Sequence, residues 1–430
     1  MKKEEDIYKI FNEMDELIDS VNSTPKKEKK DNIPEMPKVF VEENNTLENK
    51  KQTKLVPLEI EENKVEIEEN KVEIEENNKK EEIVNLEKPK KKTKKNKKWI
   101  ITFSALDIIA VVCLFLMYGP ISYFRNLWVT SAMTTMTHKY LAYIFFSEEQ
   151  INEIMSNNTI IEVEGSTNKE EIEIISPQEP VEEIIEYSSP EEEQILKKDP
   201  GNDLYKVIEI EGNGYKGHML VVYDPSKIDL VQSPNKAYGL TIEQFVNKNN
   251  AVAGINAGGF SYNASTGYSP LGVLIDNGII YGTGVTSWGG GVIGFTNDNI
   301  LVLAKISAEE AIQMGIRDAV SFGPFLIVNG VPSEFRGNGG YGIAPRTAIG
   351  QRKDGIVLML VIDGRRAGHS LGVDMVELTN IMLRYGAYNA SNLDGGGSST
   401  IVVDGKTLSV AGGSGYTGDR YLPNSWILRR

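Results

Sequence analysis

Cysteine is nearly absent: Cys113 stands alone in 430 residues, beside only three histidines. A single cysteine excludes an intrachain disulfide framework, so any folded domain here rests on its own core. His218 and His369 fall in the C-terminal half, neither paired with the other nor beside a cysteine, which argues against a zinc site. Glycine and tryptophan are missing from residues 22–98, a stretch dominated by Lys, Glu, Asn and Pro. Such a segment cannot bury enough apolar surface to offset its ordering entropy, and disorder is expected. An excess of positive charge is lacking as well. With a net charge of -15, no nucleic-acid partner is expected.

Before the disordered region, Ile7, Ile10, Phe11, Met14, Leu17, Ile18 and Val21 form an i, i+3, i+4, i+7 stripe. Residues 1–21 thus read as a short amphipathic helix whose other face is acidic, the wrong sign for an anionic membrane surface. Residues 4–21 would suit a cytoplasmic protein partner, or form only a marginal helix alone. Residues 59–78 repeat Glu-Ile-Glu-Glu-Asn-Lys-Val, but the apolar spacing of five and two is not that of a coiled coil.

Seven lysines between Lys90 and Lys98 precede an apolar run, Trp99 to Tyr118. About 20 such residues can cross a bilayer, and the lysines predict a cytoplasmic N-terminal side. The expectation is a single-pass cell-membrane protein with an extracellular C-terminal domain. Asp107 in the run is costly there unless neutral or paired. Gly119 and Pro120 break the helix, and residues 119–146 read as a juxtamembrane helix, interfacial rather than a second span. Residues 147–202, acidic and punctuated by prolines, read as a solvated linker.

The domain proper spans residues 203–430. Asn277-Gly278, Asn329-Gly330, Asp354-Gly355 and Asp404-Gly405 each lie between apolar runs and predict hairpins. Thr241 with Gln244, Ser307 with Glu310, and Asp374 with Glu377 have N-cap and N3 spacing. The fold class expected is α+β, with mixed, largely antiparallel sheets and a few helices, preceded by one transmembrane helix and a disordered N-terminal region.

Within that domain, Asp394 ends an apolar run and is followed by Gly395, Gly396, Gly397, Ser398, Ser399 and Thr400. Glycines let the backbone turn sharply and bring amides close to an anion. The β-branched run from Ile401 means that a strand follows rather than a helix, and no lysine stands beside the serines, so the nucleotide-binding loops do not fit. The same feature removes a nucleophile elbow at Ser398, and with it a serine hydrolase using His369. Asp394 could also simply cap its own turn. Asp363 likewise closes an apolar run, and there too catalysis and turn formation stay open. A capping box alone accounts for Glu377.

Several separate motifs recur in order: Asn256-Ala-Gly-Gly-Phe260, Ser321-Phe-Gly-Pro-Phe-Leu-Ile-Val-Asn-Gly330, Pro345-Arg-Thr-Ala-Ile-Gly350, Asp363-Gly-Arg365, Glu377, Asn392-Leu-Asp-Gly-Gly-Gly-Ser398, and Arg420 before Pro423-Asn424. Over roughly residues 203–430 the chain resembles the phosphodiester glycosidase family. That resemblance implies hydrolysis between a sugar anomeric carbon and a phosphodiester, with cell-envelope glycans as the substrate class. Glycosidases ordinarily use two carboxyl groups, so Asp394 and Asp363 are the catalytic candidates and Glu377 the third. Arg346, Arg365 and Arg420 suit the phosphate, Asn256 and Asn392 the sugar hydroxyls, and the Gly395–Gly397 amides with Ser398 the remaining anionic oxygens. No cofactor is required by this chemistry; a hard cation held by Asp and backbone oxygens stays open. The competing class is a non-catalytic module that binds anionic glycan, or a scaffold of the cell envelope.

Overall fold

The computed structural model describes residues 95–135, 138–174, 187–235, 237–284, 290–410 and 420–430, with side chains from Asp107 onward. The amphipathic stripe over 4–21 and the charged region 22–98, up to its last residues, lie outside the described residues.

Helices lead the described residues: α1 (Lys95–Tyr118), α2 (Ser122–Met133), α3 (Tyr140–Tyr143) and α4 (Glu148–Ser156). β1 (Ile160–Ile161), α5 (Pro190–Leu196), β2 (Tyr205–Gly212), β3 (Tyr215–Val222) and β4 (Ile228–Gln232) follow. Next come α6 (Ile242–Lys248), β5 (Ala251–Asn256), β6 (Phe260–Asn263), β7 (Gly267–Pro270), β8 (Val273–Asp276), β9 (Ile279–Thr283), β10 (Gly291–Thr296) and β11 (Leu301–Ala304). After α7 (Ala308–Gln313) stand β12 (Ile316–Phe322), β13 (Phe325–Val328), β14 (Val331–Pro332), β15 (Glu334–Phe335), β16 (Arg346–Gln351) and β17 (Val357–Ile362). The chain closes with α8 (Met375–Arg384), β18 (Asn389–Asn392), β19 (Ile401–Val403), β20 (Lys406–Thr407) and β21 (Asn424–Arg429). The α+β class with mostly antiparallel pairing is what the structure shows.

A seven-stranded sheet, ordered β14-β13-β18-β16-β17-β3-β2, is the spine of the domain. β17 is buried throughout and divides its side chains by the period of two: Leu358, Leu360 and Ile362 pack toward α8, while Val357, Met359 and Val361 face the opposite core. On that second face lie two five-stranded sheets, β11-β10-β12-β8-β9 and β20-β19-β5-β21-β4. Each carries one helix outside it, α7 through Ala308 and Ala311, and α6 through Ile242, Phe245 and Val246.

All four expected hairpins form, as β8–β9, β13–β14, β16–β17 and β19–β20. Asn277, Asn329 and Asp404 adopt positive φ with a positive-φ glycine next, the backbone that a two-residue turn demands. Thr241 and Ser307 close capping boxes with Gln244 and Glu310. Asp374 caps α8 through the Glu377 amide, but the Glu377 carboxylate does not return to the cap.

Of the stretch expected as a solvated linker, the described parts, residues 147–174 and 187–202, are packed against the domain instead. α4 begins with a capping box at Ser147, and Ile151, Ile154, Ile172 and Ile195 are buried. From Thr159 to Glu173 the chain straps the domain: Thr159 and Arg336 exchange backbone bonds, β1 pairs with β15, and the Glu173 amide donates to the Lys353 carbonyl at 2.9 Å. Isoleucines spaced among glutamates supply this apolar face, which average acidity conceals.

Among the residues from Asp107 onward, where side chains are described, no single helix is long and apolar enough to cross a membrane. Asp107–Tyr118 and Ser122–Met133 meet that measure only together, bent by 84°.

Candidate active site

The site stands at one edge of the large sheet. β16 lies between β17 and β18 and runs antiparallel to both, with Arg346 opposite Ile362 and Ala348 opposite Asn392. The start of β16 and the ends of β17 and β18 therefore share an edge. Asp363 and Asp394 emerge there two strands apart, about 10 Å in backbone terms. Pro345 fills the space between their loops. A Cβ at Gly364 would come within 2.7 Å of the Pro345 nitrogen and one at Gly395 within 3.1 Å of its carbonyl oxygen, to which Gly396 N–H donates at 2.9 Å.

Asp394 is fixed by its backbone. Its N–H donates to the Ala257 carbonyl at 3.2 Å, and its carbonyl accepts from Asn256 Nδ2 at 2.5 Å. The residue keeps some surface open, yet burial of the carboxyl raises its pKa above the ordinary 3.8; the Ser398 hydroxyl, the Arg420 guanidinium and the Gly395 amide oppose this without cancelling it. Asp394 thus holds its proton to higher pH than a surface aspartate. Arg420 Nη1 donates to Ser398 Oγ at 3.1 Å, linking cation, hydroxyl and acid.

Two exposed arginines flank the glycines. A Cβ at Gly396, where φ is +62°, would lie 3.3 Å from Arg365 Nη2, and one at Gly397 would lie 3.9 Å from Arg420 Nη1. The guanidiniums come this close because no side chain intervenes. Arg420 also stacks over Phe260, 4.9 Å from the ring centre. Burial lowers the Arg365 pKa without threatening its charge.

Arg346, expected at the phosphate, is buried and otherwise employed. Its Nε donates to Val373 O at 3.2 Å, and its Nη2 to Tyr341 O and Gly342 O at 2.8 and 2.7 Å. Burial lowers its pKa to about 10, so it remains a cation beneath the loops. Its role is to hold the 341–373 region together.

Asp363 is 2% exposed and each of its oxygens already has a partner, His369 Nε2 on Oδ2 at 2.7 Å and the Val410 amide on Oδ1 at 2.8 Å. Ser370 Oγ donates to its carbonyl at 2.5 Å. A carboxylate so enclosed orders the 363–373 loop, which carries Arg365 to the glycines. Glu377 sits on the first turn of α8, accepting from Tyr215 at 2.6 Å and Arg384 at 3.5 Å, so it belongs to the helical face of the sheet.

Asn256 is fully engaged: besides Asp394, its Oδ1 accepts from Thr347 Oγ1 at 2.8 Å and the Thr400 amide at 3.2 Å. It is a tie rather than a sugar ligand. Asn392 donates to Gly323 O at 2.7 Å while its buried Oδ1 has no hydrogen-bond partner among the described residues, leaving one acceptor unspent. Sequence reasoning passed over Thr347, Asn424 and Phe260 as parts of the site. Asn424 Oδ1 accepts the Gly258 amide at 3.1 Å. All three stood inside the recurring motifs, the signal that could have found them. No cluster of three His, Cys, Asp or Glu side chains suited to a metal occurs among the described residues.

Residues 249–429 match the family model for phosphodiester glycosidase. The C-terminal half carries a phosphodiester glycosidase domain. The chain is 29% identical over 179 residues to the SPbeta prophage-derived uncharacterized protein YomE of Bacillus subtilis (strain 168), covering 39% of this chain and 27% of that protein. It is 27% identical over 249 residues to the N-acetylglucosamine-1-phosphodiester alpha-N-acetylglucosaminidase of Mus musculus, covering 52% of this chain and 46% of that enzyme. The chain therefore spans less than half the length of these relatives. Among solved structures, the catalytic domain of the zebrafish N-acetylglucosamine-1-phosphodiester alpha-N-acetylglucosaminidase aligns with a TM-score of 0.45 at 19% identity, over 54% of this chain and 86% of that one.

Proposed function

We propose that the phosphodiester glycosidase domain hydrolyses glycosyl-1-phosphodiesters, releasing free sugar and a phosphomonoester. The observation that carries this reading is the placement of Asp394, whose carboxyl burial pushes above the ordinary aspartate range, beside two exposed guanidiniums across a glycine loop. Arg365 and Arg420 neutralise the phosphate. As the bond between the anomeric carbon and the phosphate oxygen breaks, Asp394 gives its proton to that oxygen. Water adds its hydroxyl to the carbon, and its remaining proton restores the Asp394 carboxyl.

The chain is further proposed to sit in the cell membrane through Trp99–Tyr118, with the lysine cluster inside and the domain outside, acting on sugar-1-phosphate linkages of the envelope. A cytoplasmic protein partner for residues 4–21 belongs to the same proposal. The test uses the full chain in detergent with the methyl diester of N-acetylglucosamine 1-phosphate and a panel of other sugars. Release by the native chain and none by Asp394→Asn is expected. No release across the panel would sink the hydrolase and favour a glycan-binding module.

A further inference from the structure

α1 does not end in a free tether. The Tyr118 hydroxyl donates to Phe145 O at 2.6 Å and its ring lies 5.7 Å from that of Phe146. The chain then turns by 84° into α2. Helices α2 to α4 share a core of Val129, Ala132, Ala142, Phe146, Ile151 and Ile154. That collar is bonded to the loop before β16: Asn338 Nδ2 donates to Thr130 Oγ1 at 2.9 Å, the Asn338 amide to Asn158 Oδ1 at 3.0 Å, and Thr134 Oγ1 to Tyr341 O at 3.2 Å. At Gly342, φ +60°, a Cβ would fall 2.2 Å from Ser131 Oγ. Tyr341 and Gly342 supply the carbonyls that hold Arg346, and Pro345 O holds the Gly396 amide. The helical anchor is thus joined to the catalytic glycines by packed contacts throughout.

The collar exposes apolar side chains beside α1. Ile121, Tyr123, Phe124, Tyr140, Tyr143 and Ile144 are 43% to 60% exposed, with His138 and Lys139 among them. Tyrosines with apolar neighbours and adjacent cations fit the headgroup level of a bilayer. Ile121, Tyr123 and Phe124 follow directly on the helix proposed to cross it, and Ile144 precedes the Phe145 to which Tyr118 of that helix is bonded, which commits the occupant to lipid. Because α2 turns nearly at right angles to α1, its length of about 18 Å displaces the domain along the membrane plane rather than away from it. A freely solvated linker of the length of residues 147–202 would have reached about 40 Å instead.

Resting on the glycosidase reading, we propose that this collar seats the active site at the bilayer surface, and that the substrate is a glycosyl-1-phosphodiester whose other ester arm is a membrane lipid. An envelope polymer tens of ångströms out lies beyond such a fixed site.

The test reconstitutes the full chain into vesicles of phosphatidylcholine and phosphatidylglycerol. Two substrates share one sugar 1-phosphate, as a methyl diester in water and as a dialkylglycerol diester in the same bilayer. The lipid diester should give a kcat/KM at least about tenfold higher, through effective concentration at the surface. Inserting about 20 Gly/Ser residues after Gly119, a reach of roughly 25 Å, should erase that preference and leave the methyl diester rate unchanged. A second readout needs no activity: a fluorophore at Tyr421→Cys in a Cys113→Ser background should be quenched by headgroup-labelled lipid, and released by the insertion. Equal rates on both diesters would overturn the lipid substrate. An unquenched label would overturn the seating, with self-association or a protein bound over the collar as the alternatives. No release from either diester, with the label quenched, would refute the glycosidase reading and the substrate claim while leaving the seating intact.

Discussion

His369 Nε2 meets Asp363 Oδ2 at 2.7 Å, and the opposite oxygen takes the amide of Val410, 47 residues further along the chain. Removing this carboxylate should therefore act first on folding. Asp363→Ala is expected to lower unfolding free energy by about 2–3 kcal/mol in urea titration, because a buried amide loses its charged acceptor. His369→Gln, at a site more open to solvent, should cost less. Equal and negligible losses would show that the pair is not a structural tie.

Asp394 provides a pH test with a definite sign. Its folded pKa lies above the ordinary 3.8 because burial penalises the anion. The favourable state is the protonated one, so its stabilising effect is present below the ordinary value and is lost as pH rises through the raised one. Asp394→Asn should consequently melt higher than the native chain near neutral pH, with the advantage vanishing in acid. If Asp394 is the proton donor, kcat of the native chain should fall on the alkaline side with a midpoint above 3.8.

Arg346 and Arg420 should separate stability from binding. Arg346→Met abandons three buried carbonyls, for an expected loss of about 3 kcal/mol in chemical denaturation. Arg420→Ala removes an exposed cation. It should change stability by under about 0.5 kcal/mol while raising KM at least about tenfold, equivalent to roughly 1.4 kcal/mol of phosphate binding.

Leu360 lies at 0% exposure in β17, on the face toward α8. Leu360→Ala should cost about 2–5 kcal/mol by lost transfer energy and the cavity left behind, measured as a shift in denaturation midpoint.

Local rules carried far along this chain. Asn277-Gly278 and Asp404-Gly405 specify hairpins because few residues accept positive φ at a turn. Thr241 and Ser307 specify helix starts because a hydroxyl satisfies an amide three residues on. Asp374 shows where such rules stop: it caps its helix as expected, yet Tyr215, 162 residues from Glu377, claims the carboxylate that would have closed the box.

The sequence by itself determined the α+β class, the four hairpins, the glycine loop at Asp394 and the family motifs, since each depends on bonds and dihedrals within a few residues. Tertiary structure alone decided which charges face solvent. Arg346, Arg365 and Arg420 look alike in sequence, but only packing spends Arg346 on the Tyr341 and Gly342 carbonyls and leaves Arg365 and Arg420 over the glycines. Likewise residues 147–174 become a strap because their scattered isoleucines find apolar partners far along the chain, and burial depends on partners that neighbouring residues cannot reveal.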